Sequence, residues 1–207
     1  MSMSALSDEL AQVRTKKKEF LAQIERIVPW KEWLVLIQPC YYKGERGNKP
    51  YPLETRPRLY LLQNLYDLSD EATAAEAIDS RAFSDFCGVD SSNQVPDGDT
   101  IGRFRNLLVK NGLQERLFAQ VVAALMKRGM ILKKGTIVDS TIISAPSSTK
   151  NKEKKRDPDA HQVRKGNIWH FGYKAHIGAD KDSGLVHTIA VTAANVHDVS
   201  QTASLLT

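Results

Sequence analysis

Apolar residues recur every three or four positions up to about residue 130, and every second position after it. The first spacing matches one face of a helix, the second one face of a strand. Leu10, Val13, Phe20, Leu21, Ile24, Ile27 and Val28 predict an amphipathic helix over 8–28, with Lys16, Lys17 and Lys18 between them and Pro29 as its stop. A short apolar run follows from Trp30 to Ile37, and GERGNKPYP at 44–52 reads as a polar loop by composition. Arg58 to Leu68 predicts a helix, and Ser69 is placed to cap another carrying Ala72, Ala75 and Ile78, so the pair resembles a helix-turn-helix. Gly88 is a plausible helix stop. Asp99 or Thr100 is the expected N-cap of a helix with Ile101, Phe104, Leu107 and Leu108, closed by Gly112, and Leu113 to Arg128 predicts one more before Gly129.

Beyond Gly129 the run Thr136 to Ile143 is β-branched almost throughout and predicts a strand. His170 to Gly178 alternates Phe171, Tyr173, Ala175 and Ile177 with His170, Gly172, Lys174 and His176, which predicts a second. Asp182, Ser183 and Gly184 supply a turn into a third, Leu185 to Thr192, antiparallel to the second. The expected class is α+β, with a helical region over 1–130 and three antiparallel strands within 131–207.

The chain has 207 residues, 42% of them apolar, enough for a real core. Its longest apolar runs, Trp33 to Ile37 and Val121 to Met126, are far short of the roughly 20 residues of a membrane span. The N-terminus shows no secretory signal, so the expected compartment is the cytoplasm. Cys40 and Cys87 lie far apart, as suits reduced thiols rather than a disulfide framework. The five histidines have no spacing of a compact zinc site, and neither a phosphate loop nor a Gly-x-Ser-x-Gly elbow is present.

Net charge is +5, and Lys150, Lys152, Lys154, Lys155, Arg156, Arg164 and Lys165 crowd into one segment against Glu153, Asp157 and Asp159. Such a cluster suits a polyanion, although a solvated charge run is the commoner meaning of the pattern. Arg103 and Arg105 are further candidates for DNA phosphates, although solvated helix arginines are the commoner case. Asp139 shares a strand face with Ile137, Thr141 and Ile143. A carboxylate there needs a hydrogen bond, a cation or a metal, and the alternative is a strand-end Asp capping its loop or pairing with a lysine. Asp198 begins an expected helix, where an N-cap role would account for it.

YPLETRPRLYLLQNLYDLSDEA, DSRAFSDFCGVD, VPDGDTIGRFRNLL, GTIVDSTIISAPSSTKNKEKKRDPDAHQVRKGNIWHFGYKAHIGAD and TAANVHDVSQTASLL together resemble bacterial insertion-sequence transposases of the DDE type, the branch with an InsH-like N-terminal domain. The resemblance implies a DNA-binding helical domain and a ribonuclease-H-like core in which three acids hold two Mg²⁺ ions for attack on a DNA phosphodiester. Asp139 matches the first acid, and Asp198 matches a Val-His-Asp segment in a supporting position. The second acid, in an Asp-x-Gly-Tyr motif, and the later Glu have no counterpart up to Thr207. A C-terminally truncated transposase is therefore expected, inactive by itself and acting on insertion-sequence terminal repeats as a homo-oligomer on bacterial nucleoid DNA. The alternative is a non-catalytic DNA-binding fragment that inhibits or partners with full-length transposase.

Overall fold

A computed structural model describes residues 14–41, 50–132, 134–149 and 155–206. The chain divides into two compact units, Met1–Ala124 and Leu125–Thr207. No helix among the described residues is long and apolar enough to cross a membrane.

The first unit is helical: α1 (Lys16–Ile27), α2 (Trp30–Ile37), α3 (Thr55–Leu65), α4 (Asp70–Asp79), α5 (Arg81–Cys87), α6 (Gly98–Lys110) and all but the last three residues of α7 (Leu113–Lys127). Local chemistry sets most boundaries. The Thr15 hydroxyl accepts from Lys18 N at 3.2 Å and starts α1, and Ser69 accepts from Ala72 N at 3.1 Å and starts α4. Gly88, at φ 66°, closes α5 in the left-handed conformation that a β-carbon disfavours. The cap of α6 is Asp97, which accepts from Thr100 N at 2.7 Å, rather than Asp99 or Thr100. Asp97 has the extended backbone of an N-cap, whereas Asp99 and Thr100 already lie inside the helix that begins at Gly98. Residues 8–13 of the expected first helix, and most of the 44–52 loop, lie outside the described residues.

Two apolar clusters hold these helices. One gathers Leu59, Leu62, Ala77, Phe83 and Ile101; the other packs Trp33 and Ile37 against Phe104, Leu108, Leu113 and Leu117. The buried Trp33 indole donates to Leu117 O at 3.2 Å, so its one polar atom is satisfied. Arg58 ties α3 to three other helices: it pairs with Glu25, donates to Phe86 O at 3.0 Å and lies 4.2 Å from the centre of the Trp30 ring. Burial pushes the Cys87 thiol up to about 12, against the opposing field of Arg58, so this thiol stays protonated and inert. Cys40 is half-buried and also free.

The second unit is an antiparallel sheet of β1 (Thr136–Ser144), β2 (His161–Lys165), β3 (Ile168–Asp180) and β4 (Val186–Ala193), followed by α8 (Asp198–Leu205). β3 pairs with each of the other three strands; its registers include Asp139↔Ile177, Arg164↔Trp169 and Ile177↔Ile189. β2 is a fourth strand beyond the three expected. Gly166, at φ 62°, forms the tight turn between β2 and β3, in the left-handed conformation that a two-residue hairpin demands. At Gly172 the strands approach so closely that a Cβ would meet Ile143 O at 2.1 Å. Helix α8 lies across one face, where a Cβ on Gly178 would meet Leu205 O at 2.7 Å.

Leu62 is fully buried whereas Val35 is 73% exposed. Leu62→Ala is expected to cost about 2–5 kcal/mol in urea unfolding, and Val35→Ala less than about 0.5 kcal/mol. Equal effects would contradict this core.

Candidate metal and nucleic-acid site

Side chains alternate between the two faces of a strand, so the pairing register fixes what can meet. Ile137, Asp139, Thr141 and Ile143 of β1 share one face with Trp169, Phe171, Tyr173, Ala175 and Ile177 of β3 and with Ile189 and Val191 of β4. This face is open among the described residues: Ile137, Ile143, Ile189 and Val191 are about half exposed or more. Asp139 is exposed with them, and its Oδ1 accepts from Ser140 N at 2.7 Å. The carboxylate therefore does not bear the desolvation cost that an apolar strand face suggests, because that face meets solvent.

The basic segment runs onto the same face. Asp157 accepts from the Tyr173 hydroxyl at 2.6 Å and from Asp159 N at 3.0 Å, while the Arg156 guanidinium lies 5.7 Å from the Phe171 ring centre and donates to Ser147 O at 3.1 Å. The tyrosine hydrogen bond holds Asp157 below the usual carboxylate range, and the same bond pushes Tyr173 up to about 12. The Arg164 side chain donates from Nε to Gly166 O and from Nη2 to Asn167 Oδ1, which holds it beside the hairpin turn. Lys155, Arg156, Arg164 and Lys165 are all exposed in this unit. Lys150, Lys152 and Lys154 lie outside the described residues.

In the helical unit the two candidate arginines part company. Arg105 pairs with Asp70 at 2.6 Å, and the same Asp70 oxygen also accepts from Gln63 Nε2 at 2.6 Å, so Arg105 joins α6 to α4. Arg103 is exposed. The partner that claims Arg105 is 35 residues away, beyond any local sequence pattern.

The opposite face of the sheet carries a polar cluster around Asp198, the residue that the resemblance puts in a supporting position. Asp198 is the first residue of α8 rather than its cap; the N-cap is His197, which makes no side-chain capping bond. The Asp198 carboxylate instead bridges to the sheet: Lys174 Nζ is 3.0 Å from its Oδ1 and also donates to Val196 O at 2.8 Å. His176 is fully buried, with Nε2 at 2.9 Å from Thr192 Oγ1. The Thr192 hydroxyl also lies 3.2 Å from Ala193 O. Its Nδ1 lies 3.5 Å from Asp198 Oδ1 without making a hydrogen bond. The available signal was the alternation of His170, Lys174 and His176 along β3, which marks a polar face without saying whether a helix covers it.

Two family models match the chain. One, described as "Transposase domain (DUF772)", covers residues 8–107, and the other, described as "Transposase DDE domain", covers 131–207. The chain belongs to the DDE-type transposases. No solved structure matches it significantly. A DDE domain implies a divalent metal ion in this transposase. Among the described residues no three His, Cys, Asp or Glu side chains are grouped to hold one, and the neighbours of Asp139 on its face are Ile137, Thr141 and Ile177. Asp139 suits one carboxylate position, but these residues alone do not compose a two-ion site.

The Lys174 hydrogen bond lowers the carboxyl pKa of Asp198, helped by Ser140 and His176 and opposed by partial desolvation. A carboxylate whose pKa is depressed on folding contributes stability above its unfolded value of about 3.9, and that contribution is lost as pH falls through the folded value. Asp198→Asn is expected to lower the urea midpoint at neutral pH and to flatten its decline below about pH 4. An unchanged acid limb would show that the bridge is idle.

Proposed function

We propose that this transposase binds the ends of an insertion sequence, that residues 1–130 form an InsH-like helical DNA-binding domain, and that 131–207 form part of a ribonuclease-H-like catalytic domain. Asp139 is read as the first acid of the DDE set and a ligand for Mg²⁺. What carries the reading is the coincidence of a transposase DDE match over 131–207 with a carboxylate on the same sheet face as the Arg156 and Arg164 segment.

The chemistry supplied when the metal is bound is activation of a hydroxyl and stabilisation of the leaving oxygen at a phosphodiester. This chain's own residues contribute placement. β1 and β3 hold Asp139 in register, Asp198 and Lys174 clamp α8 to the far face, and the cations of the 150–165 segment bind backbone phosphates, with Arg103 doing so from the helical domain. Arg105 is left out of that set because Asp70 already holds it.

A second reading is favoured by the lack, among the described residues, of any group of three His, Cys, Asp or Glu side chains that could hold a metal ion at Asp139. In it, the chain occupies element ends without cutting them, as an inhibitor or partner of a full-length transposase and as a homo-oligomer on DNA. Both readings share the same binding step and differ at cleavage.

Mobility-shift titration with duplexes carrying the element's terminal repeats, against shuffled duplexes, tests the binding step. Specific, salt-sensitive binding is expected, and replacing Arg156, Arg164 and Lys165 with Gln is expected to reduce the log–log salt slope by up to about 2.7. No preference for the ends would sink both readings. Incubation with Mg²⁺ then separates them: the protein by itself is expected to leave the DNA uncut, whereas cleavage abolished by Asp139→Asn would rule out the non-catalytic reading.

A further inference from the structure

Trp169 is 64% exposed, and nothing in the packing of the described residues accounts for a large ring left in water. The other tryptophans serve the core: Trp33 is buried, and Trp30 is partly buried with edge contacts to Trp33 and Phe86. Trp169 sits near the tip of the β2–β3 hairpin, directly opposite Arg164 in the ladder and therefore on the same face. The Lys165–Ile168 pair comes next, at the turn, where Ile168 is also 64% exposed.

The hairpin continues a track. Trp169, Phe171 and Tyr173 follow one another on alternate positions of β3, on the face that bears Asp139. Arg156 lies over Phe171, and Asp157 takes the Tyr173 hydroxyl, so these two rings are already covered. Trp169 is the ring left open. Asp139 pairs with Ile177, eight residues along β3 from Trp169; at about 3.3 Å per residue the track is about 26 Å long, room for several nucleotides.

A flat aromatic ring between guanidinium groups is the chemistry that receives an unstacked base: the ring stacks on the base, and the cations take the flanking phosphates. A duplex with every base stacked inside offers phosphates to such a surface but no base face. We infer that the hairpin is a single-strand site, in which Trp169 stacks on an unpaired base while Arg156 and Arg164 hold the adjoining backbone. This rests on the reading that the chain acts on DNA, and it adds that the DNA is locally unpaired when engaged.

The test uses the full chain with two probes, an oligothymidylate of about 16 nucleotides and a blunt duplex of the terminal repeat. Oligothymidylate is expected to quench the Trp169 emission, taken as the difference between the wild type and Trp169→Phe. Trp169→Ala is expected to weaken oligothymidylate binding about tenfold, Trp169→Phe less, and neither to change duplex binding by more than about twofold. Because the side chain is exposed, unchanged thermal unfolding is expected for both variants. The proposal is overturned if Trp169→Ala leaves oligothymidylate binding intact, weakens both probes equally, or changes only the oligomeric state. The last result would make the ring a contact between copies. Duplex binding with no single-strand effect removes this inference and leaves the transposase reading standing, whereas failure to bind either probe removes both.

Discussion

The second unit of this molecule depends on the pairing of β3 with all three other strands. A strand of 13 residues, Ile168–Asp180, serves β2 with its first part and β1 and β4 with the rest. Since side chains alternate, this one strand sorts the unit's chemistry into two sets. Lys174, His176 and Asp180 go under α8, and Trp169, Phe171, Tyr173 and Ile177 go to the face of Asp139. A slip of one residue between β1 and β3 would carry Asp139 to the face of Lys174 and His176, under the helix, while β2 and β4 held β3 in place. The close approach at Gly172, where any Cβ would strike Ile143 O, is a local lock on that register.

The distribution of polarity is the reverse of the simple expectation for a half-buried sheet. The covered face is the polar one, with His176 and Asp180 fully buried, and the open face holds exposed Ile and Val residues. Buried polar groups are tolerable only when paired. Asp180 meets this by accepting from Leu132 N, Ser183 N and the Ser183 hydroxyl, which also shapes the β3–β4 turn. Lys174 meets it through Asp198 and Val196 O, with the Asp198 carboxylate left 54% exposed at the helix start. That half-exposed geometry avoids the full desolvation penalty of a buried ion pair while still fastening α8.

The helical unit was legible where its causes are local. Ser69 before Asp70 and Gly88 after Cys87 act within four residues of themselves, so their roles can be read in place. The three long strands were visible as period-two runs. β2 was not, because Arg164 and Lys165 belong to a charge-dense stretch whose apolar content is Val163 alone, and its strand character comes from pairing with β3. Arg105 and Asp198 escaped for the same reason, since each is defined by a partner brought close by the fold: Asp70 in one case, Lys174 in the other. Asp139 is different again. Its position on a strand was plain, its exposure was not, and its meaning as an acid of a DDE set came from resemblance rather than from any physical feature of β1.

Whether Asp139 accepts a divalent cation on the open sheet face is the claim on which the catalytic reading turns. Paramagnetic Mn²⁺ titrated into the isotopically labelled protein would report it through distance-dependent broadening of amide signals. The account predicts early broadening centred on Asp139, Ser140 and the cross-strand Ile177, all of it lost in Asp139→Asn. Broadening confined to other carboxylates, or a pattern unaltered by that substitution, would contradict it.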